Sequence, residues 1–301
     1  MKLTNILQSI RALGLALLSA CAFLASNAMG VGFFDSGGAG GVDLATVRGG
    51  ASQYWAVFGI SGGVSVTDPG PFSGNWDIRG GVGIAGSGNL TMSSSEILGN
   101  LYIRTGGVQV YSAGATVTGS VNQNSIPTDG ILSGAAADAA TASAQASALP
   151  TFYNGSPLTT IAQTTPIALA AAAAANTTYV LHLTDLILSG TNAMLTLNGN
   201  GLANVNYVIN VNRYLSLANG AQIKLTGGLQ VQNVLINVQS GIYSTYTYDA
   251  TLSGGSTVNG IILAPNRTVK LTGASTDVGE VIGKAVSLSG NSRVYNPVAS
   301  P

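Results

Sequence analysis

Ile78-Arg79-Gly80-Gly81-Val82, Ile97-Leu98-Gly99-Asn100-Leu101 and Val117-Thr118-Gly119-Ser120-Val121 share one pattern: aliphatic, any residue, glycine, any residue, aliphatic, recurring about every twenty residues. That interval is the length of one solenoid coil. A second element, reading branched residue, any residue, Leu, small polar residue, Gly, recurs at Leu186–Gly190, Leu195–Gly199, Ile223–Gly227, Val269–Gly273 and Val286–Gly290, with a weaker copy at Ala250–Gly254. Short alternating strands ended by glycine turns predict a mainly β chain wound as a parallel β-helix, a β-solenoid. Two or three aliphatic side chains per strand cannot form a core alone. Stacked coils align them into continuous columns, each gaining roughly 25 cal/mol per Å² removed from water.

Charged residues make up only 7% of the chain, and acidic and basic residues balance at 11 each, so the exterior must be largely neutral. Ser, Thr, Asn and Gln supply the outward positions. Such a surface repels copies of itself weakly, so self-association into oligomers or filaments is one expected partnership, and a host or matrix glycan or protein is another. Nucleic acid is not an expected partner, because no cluster of Lys and Arg is present to neutralise phosphates.

The N-terminus reads as a targeting segment. Lys2 and Arg11 precede an uncharged apolar run from Ala12 to Ala25, and Ser26-Asn27-Ala28 supplies a small-x-small cleavage pattern, so residues 1–28 are expected to be a secretory signal peptide. Cys21, the single cysteine, sits in Leu18-Ser19-Ala20-Cys21, which resembles a bacterial lipoprotein box, and lipidation there is the alternative. Against it, Ala22-Phe23-Leu24-Ala25 continues the apolar run where lipoproteins turn polar. No later stretch of about 18 uninterrupted apolar residues occurs, so no transmembrane helix is expected in the mature chain. The expected location is extracellular, secreted or on the cell surface, with an outer-membrane lipoprotein as the alternative.

Residues 29–52 read as a Gly-rich leader or cap, and residues 53–297 as one solenoid domain. Trp55 and Phe58 either cover the open end of the first coil or are ordinary core aromatics. Between Val121 and Tyr179 the strand pattern stops, giving a helical insertion at about 130–176. Ser133 to Leu149 is Ala-rich and ends at Pro150, so it reads as a helix with Ser133 as a candidate cap. Thr165-Pro166 then offers an N-cap and first-turn proline for a second helix running to Asn176. Both are expected to pack alongside the solenoid. Further on, Val205, Tyr207, Ile209 and Val211 share one strand face, while Asn206, Asn210 and Asn212 mark the other, where stacked amides can form a ladder along the axis.

The last third carries a resemblance. Val234-Leu235-Ile236-Asn237-Val238, Gly260-Ile261-Ile262-Leu263-Ala264-Pro265-Asn266 and Val281-Ile282-Gly283-Lys284 resemble the closing motif of the choice-of-anchor A domain of bacterial surface and secreted proteins. With Val57-Phe58-Gly59 and the Ala-rich helix, the resemblance spans roughly residues 53 to 297. It implies an adhesive β-helix displayed outside the cell. The chain is also similar in layout to ice-binding β-solenoids, which carry a helix beside their coils. It departs from the anchor family in showing no sorting signal after Asn296-Pro297, which puts surface attachment in doubt.

Catalytic chemistry finds little support. His182 is the sole histidine and alternates with Leu181 and Leu183, so it should point outward beside Thr184 as a solvated side chain. One histidine and one cysteine cannot supply a zinc site, so no metal is expected. A polysaccharide-active β-helix enzyme, the second alternative, needs converging carboxylates. Asp68, Asp77, Asp129, Asp138, Asp185, Asp249, Asp277, Glu96 and Glu280 are instead scattered. Gly81-Val82-Gly83-Ile84-Ala85-Gly86 matches a dinucleotide fingerprint, but no helix follows it and its glycines belong to the coil repeat. The expectation is therefore a non-enzyme without cofactor, acting as an adhesin or structural protein, with ice binding as the alternative. Tyr243, Tyr246 and Tyr248 form the candidate binding cluster, in a loop for which packing on its own coil is the favoured reading. The outward positions assignable from sequence mix Asn, Ser, Lys and Thr.

Overall fold

The structure is a computed structural model describing residues 55–67, 76–112, 114–152, 160–169, 174–239 and 248–297. The first coil is β1 (Trp55–Gly59), β2 (Val64–Thr67) and β3 (Ile78–Arg79). The second is β4 (Gly81–Ile84), β5 (Leu90–Ser93) and β6 (Glu96–Leu98), and the third β7 (Leu101–Ile103), β8 (Gln109–Tyr111) and β9 (Thr116–Val117). β10 (Val121–Gln123) then leads into α1 (Ile126–Ala148). After the helix come β11 (Thr160–Gln163), β12 (Ile167–Ala168), β13 (Thr178–Ser189), β14 (Met194–Asn198), β15 (Asn206–Ala218), β16 (Gln222–Thr226), β17 (Val234–Val238) and β18 (Ala250–Leu252). β19 (Thr257–Leu271), β20 (Thr276–Ser289) and β21 (Arg293–Tyr295) complete the set. All these strands pair in parallel and form three faces of a β-solenoid.

The founding repeat aligns as its spacing requires. Ile78 lies opposite Ile97 and Ile97 opposite Val117, while Val82 lies opposite Leu101 and Leu101 opposite Val121. Ile78, Val82, Ile97 and Leu101 share one interior core with Leu186, Leu215, Ile236, Ile262 and Val286, so the aliphatic residues framing the glycines do face a common dry interior. Gly99 takes a φ of +157°, and a Cβ there would collide with the carbonyl of Gly80 in the coil beside it.

Chain order and stacking order differ. β1 pairs on one side with β4, the next coil in sequence, and on the other with β20, near the C-terminus. β2 likewise lies between β5 and β20, and β3 between β6 and β21. From β1, in the middle of the stack, the described chain winds out to one end at β10. It returns along α1, rebuilds from the far end at β11, and closes against its own first coil. Trp55 and Phe58 therefore cover no open end. They are buried beneath the helix, with Tyr102 edge-on to Trp55 at 5.1 Å.

Two helix expectations are corrected. The helix begins seven residues before the stretch starting at Ser133, capped by Ser125, whose hydroxyl accepts the Thr128 N–H at 3.3 Å with Pro127 in the first turn. Ser133 lies within it, its hydroxyl donating to the Asp129 carbonyl at 2.8 Å. The described start of the expected second helix is a strand instead. Ile167 and Ala168 pair with Leu195 and Thr196, because a strand edge that needs partners outweighs local helix preference. Residues 170–173 of that segment lie outside the described set.

Ala135, Ala139, Ala142 and Ala146 line one side of α1 and are buried against Val208, Leu235, Ile261, Leu263 and Ile282, a second core outside the coils. Alanine lets the helix approach the sheet closely. The outward amides expected to meet solvent are instead covered. Asn237 donates to the Asn210 side-chain oxygen at 2.7 Å and Asn210 donates to the Ala146 carbonyl at 2.8 Å, so the amide ladder holds the C-terminal half of the helix. His182 occupies the same column as Asn210 and Asn237. It is half-buried rather than solvated, and its Nε2–H donates to the Leu149 carbonyl at 2.8 Å just beyond the helix end. Among the described residues, no helix is long and apolar enough to cross a membrane.

Candidate functional site

The solenoid presents three outer faces of different chemistry. One is covered by α1. A second, made by β14, β16, β21, β3, β6 and adjoining parts of β19 and β20, mixes Lys224, Asn259, Arg293, Tyr295, Arg79 and Glu96. There the Arg79 guanidinium lies 5.0 Å from the Tyr295 ring centre.

The third face is of another kind. Its strands are the second halves of β13, β15, β19 and β20 together with β18, β2, β5 and β8. One outward column runs Ser216, Thr251, Lys270, Ser287, Ser65, Thr91. The column two residues further along each strand runs Ala218, Ser253, Thr272, Ser289, Thr67, Ser93. Between them, Leu217, Leu252, Leu271, Leu288, Val66 and Met92 point into the core. Within these two columns every outward position is serine or threonine except Lys270 and Ala218, and the first column is flanked by Ile187 of β13 next to Ser216 and by exposed Val110 of β8 next to Thr91. Register is kept from Thr251 to Thr91, so the hydroxyls form a grid of about 4.8 Å along the axis by about 6.7 Å along the strands.

An internal serine stack keeps the far edge of this grid square. Three of the strands, β18, β19 and β20, end in a tight corner, Ser253-Gly254-Gly255-Ser256, Thr272-Gly273-Ala274-Ser275 and Ser289-Gly290-Asn291-Ser292, with the two central residues at positive φ. The closing serine turns inward and donates to the carbonyl three residues back: Ser256 to Ser253 at 2.6 Å, Ser275 to Thr272 at 2.8 Å and Ser292 to Ser289 at 2.8 Å. These hydroxyls are buried and satisfied, so equivalent corners adopt one shape.

Charge is confined to the opposite edge. Arg213 makes a two-pronged contact with Asp185, at 2.8 and 2.5 Å, which holds the Asp185 carboxyl below the usual carboxylate range and raises the already high Arg213 pKa. Buried Arg267 donates to the carbonyls of Asn212, Tyr248 and Arg213 and so fixes the corner, and its burial lowers its pKa. Lys270 reaches back to this edge, its Nζ 2.6 Å from the Asp249 carboxylate.

Of the tyrosines expected to bind a partner, Tyr243 and Tyr246 lie outside the described residues, as does Cys21. Tyr248 packs on Tyr214, ring centres 4.4 Å apart, and a hydrogen bond between the two phenols raises the Tyr214 pKa. One exception breaks the scatter of acids: Asp277 and Glu280 are close enough to interact, and both are buried. Neither opens on a cleft, and among the described residues no group of His, Cys, Asp and Glu could hold a metal ion. The Ser/Thr grid was missed because the branched-x-Leu-polar-Gly motif pools two faces: Leu195–Gly199 and Ile223–Gly227 belong to the mixed face, the others to the hydroxyl face. A closing serine marks three of the hydroxyl-face copies, following Ser253-Gly, Thr272-Gly and Ser289-Gly but not Asn198-Gly or Thr226-Gly, and is replaced by Asn192 after Ser189-Gly.

The sequence matches the profile of the family described as Ice-binding-like over residues 49–294. Among solved structures it is similar to the ice-binding protein LeIBP from an Arctic yeast, at 20% identity and a TM-score of 0.54, covering 86% of this chain and 96% of that one. It is also similar to an ice-binding protein from an Antarctic biological consortium, at 20% identity and a TM-score of 0.51, covering 83% and 89%. At these identities the likeness establishes the fold. No curated protein matches the chain. The family match overturns the adhesin expectation and gives no support to the choice-of-anchor A resemblance, whose quoted motifs, Val234–Val238 and Gly260–Asn266, are the helix-facing strands and corners of this solenoid. Spanning nearly the whole described solenoid, the match shows that the chain belongs to the Ice-binding-like family.

Proposed function

We propose that this protein binds ice through the Ser/Thr face. The observation that carries the reading is the grid itself: two columns of hydroxyls in constant register on a plane stiffened by a packed core and a buried serine corner. Water on a disordered polar surface follows the motion of the side chains beneath it. On this face the strand lattice fixes the hydroxyl spacing, so adsorbed water meets a repeating array of donors and acceptors with little ordering left to do. The near absence of charge suits this role, because ions hold their own hydration shells. The family match and the fold it shares with proteins named as ice-binding point the same way. The reading needs no cofactor and no covalent step. Export outside the cell, supported by the pattern at Lys2 to Ala28, would bring the face to external ice.

The experiment is thermal hysteresis together with recovery of the full chain in a slowly grown ice hemisphere. Wild type is expected to show hysteresis and to enter the ice. Ser65→Tyr with Thr91→Tyr, which raises two rings off the plane, should abolish both, whereas Thr196→Tyr on the mixed face should change neither. Exclusion of wild-type protein from the ice overturns the reading.

A further inference from the structure

We propose, resting on the ice-binding reading, that Lys270 divides the hydroxyl face and that Asp249 acts as its tether, so that the working surface is the patch formed where the earliest and latest described coils meet. The columns carry the argument. The second runs unbroken through Ser253, Thr272, Ser289, Thr67 and Ser93, but the first is interrupted at Lys270, between Thr251 and Ser287. Beyond it both columns are hydroxylated over three successive strands, Ser287, Ser65 and Thr91 beside Ser289, Thr67 and Ser93, as far as exposed Val110 of β8. This patch takes one strand from the C-terminal part of the chain and two from the N-terminal part, meeting along the pairing of β20 with β2. On the other side of Lys270 the face is less uniform, with Ala218 and half-buried Ile187 among its outward positions.

Lys270 is exposed on a plane of short side chains, so its ammonium and its hydration shell stand above the hydroxyls. Asp249 is displaced toward the charged edge, where Asp185 and Arg213 also lie. Its carboxylate, 2.6 Å from Nζ, draws the chain of Lys270 off the grid. Without that partner the ammonium sweeps over Thr251 and Ser287. Lys270 therefore limits the affinity of the face for ice, and Asp249 is a positioning residue that reduces the damage.

The test compares hysteresis and ice recovery in the full chain for wild type, Lys270→Thr, Lys270→Gln, Asp249→Asn and the double variant Asp249→Asn/Lys270→Thr, with circular dichroism melts confirming the fold. Lys270→Thr should raise activity about two-fold or more and Lys270→Gln by less. Asp249→Asn should lower activity on the order of two-fold alone, in keeping with an exposed ion pair, and should have no effect once Lys270→Thr is present. Ser216→Tyr should leave most activity where Ser65→Tyr removes it. Unchanged or reduced activity in Lys270→Thr, or equal damage from Ser216→Tyr and Ser65→Tyr, overturns the inference while wild-type activity leaves ice binding standing. Folded wild type and Lys270→Thr that both stay out of the ice overturn the ice-binding reading, and this inference with it.

Discussion

Asp277 is fully buried in a column of aliphatic residues, opposite Val258 on one side and Val294 on the other, with Ile78 in the coil beyond. Neither carboxyl oxygen has a hydrogen-bond partner among the described residues. Burial, with a smaller contribution from Glu280, pushes its pKa well above the ordinary carboxyl value. The folded protein therefore holds a proton that the unfolded chain releases at ordinary carboxyl pKa. Stability from this site is greatest at acid pH and falls as pH rises above about 4, until the folded-state pKa is passed. Asp277→Val, which restores the column with a strand-favouring side chain, should stabilise the protein by about 1–3 kcal/mol. Denaturant melts at pH 4 and pH 8 check it: the gain should be larger at pH 8, and an equal gain at both would mean that the carboxyl is not held neutral. This residue was illegible in the sequence. Thr276-Asp277-Val278 alternates in the wrong sense, and local hydrophobicity puts Val278 inside. The register imposed by β19 and β21 reverses that choice.

At the scale of the element, α1 is held to the coils by two different means. Its alanine stripe fits close to the sheet but buries little area per residue, so polar contacts near its C-terminal end matter more than usual. Asn237 lies at their centre: its amide nitrogen reaches the Ser143 carbonyl at 3.1 Å, the Ser147 hydroxyl at 3.2 Å and Asn210 at 2.7 Å, and its oxygen accepts the Ser143 hydroxyl at 2.6 Å. Asn237→Ala would leave several of these groups buried without partners and should cost about 1–3 kcal/mol. Hydrogen exchange would show the helix amides from Ala139 to Ala148 losing protection before those of the interior strands, and equal loss throughout would assign Asn237 to the core as a whole. The sequence announced both the helix and the ladder, through the alanine run and the stacked asparagines. It hid their meeting, because periodicity reports which face a side chain takes and not what covers that face. The start of the helix was hidden for a local reason: Pro127 and Gly130 are poor helix formers, yet Pro is tolerated in a first turn, and burial of Thr128 and Leu132 offsets the cost of Gly130.

The molecule as a whole is closed by a seam between the earliest and latest coils, and repeat spacing carried no trace of it. Equivalent coils present equivalent edges, so the pattern that aligned Ile78 with Ile97 says nothing of whether Val57 should also lie against Val281. The geometry of the ends is telling: the Asn296 side chain donates to the Trp55 carbonyl at 2.9 Å and to Glu280 at 3.1 Å, so the described chain begins and ends at neighbouring points in the middle of the stack. Closing that seam brings together segments from opposite ends of the chain, an entropic cost that coil-to-coil contacts elsewhere avoid. A circular permutant joining Pro297 to Trp55 by a short linker, and opened between Phe152 and Thr160, would place the coils in the same order in sequence and in space. Shortening the closure from the whole chain to one coil removes about 2 kcal/mol of loop entropy, or up to roughly thirty-fold in folding rate if the seam forms before the transition state. The permutant should keep ice recovery and melt within a few degrees of wild type while refolding faster in stopped-flow fluorescence of the Trp55 region. An unchanged refolding rate would place seam closure after the rate-limiting step. Loss of ice recovery in a folded permutant would mean that the β20–β2 junction, where Ser289 meets Thr67, needs its original connections to stay flat.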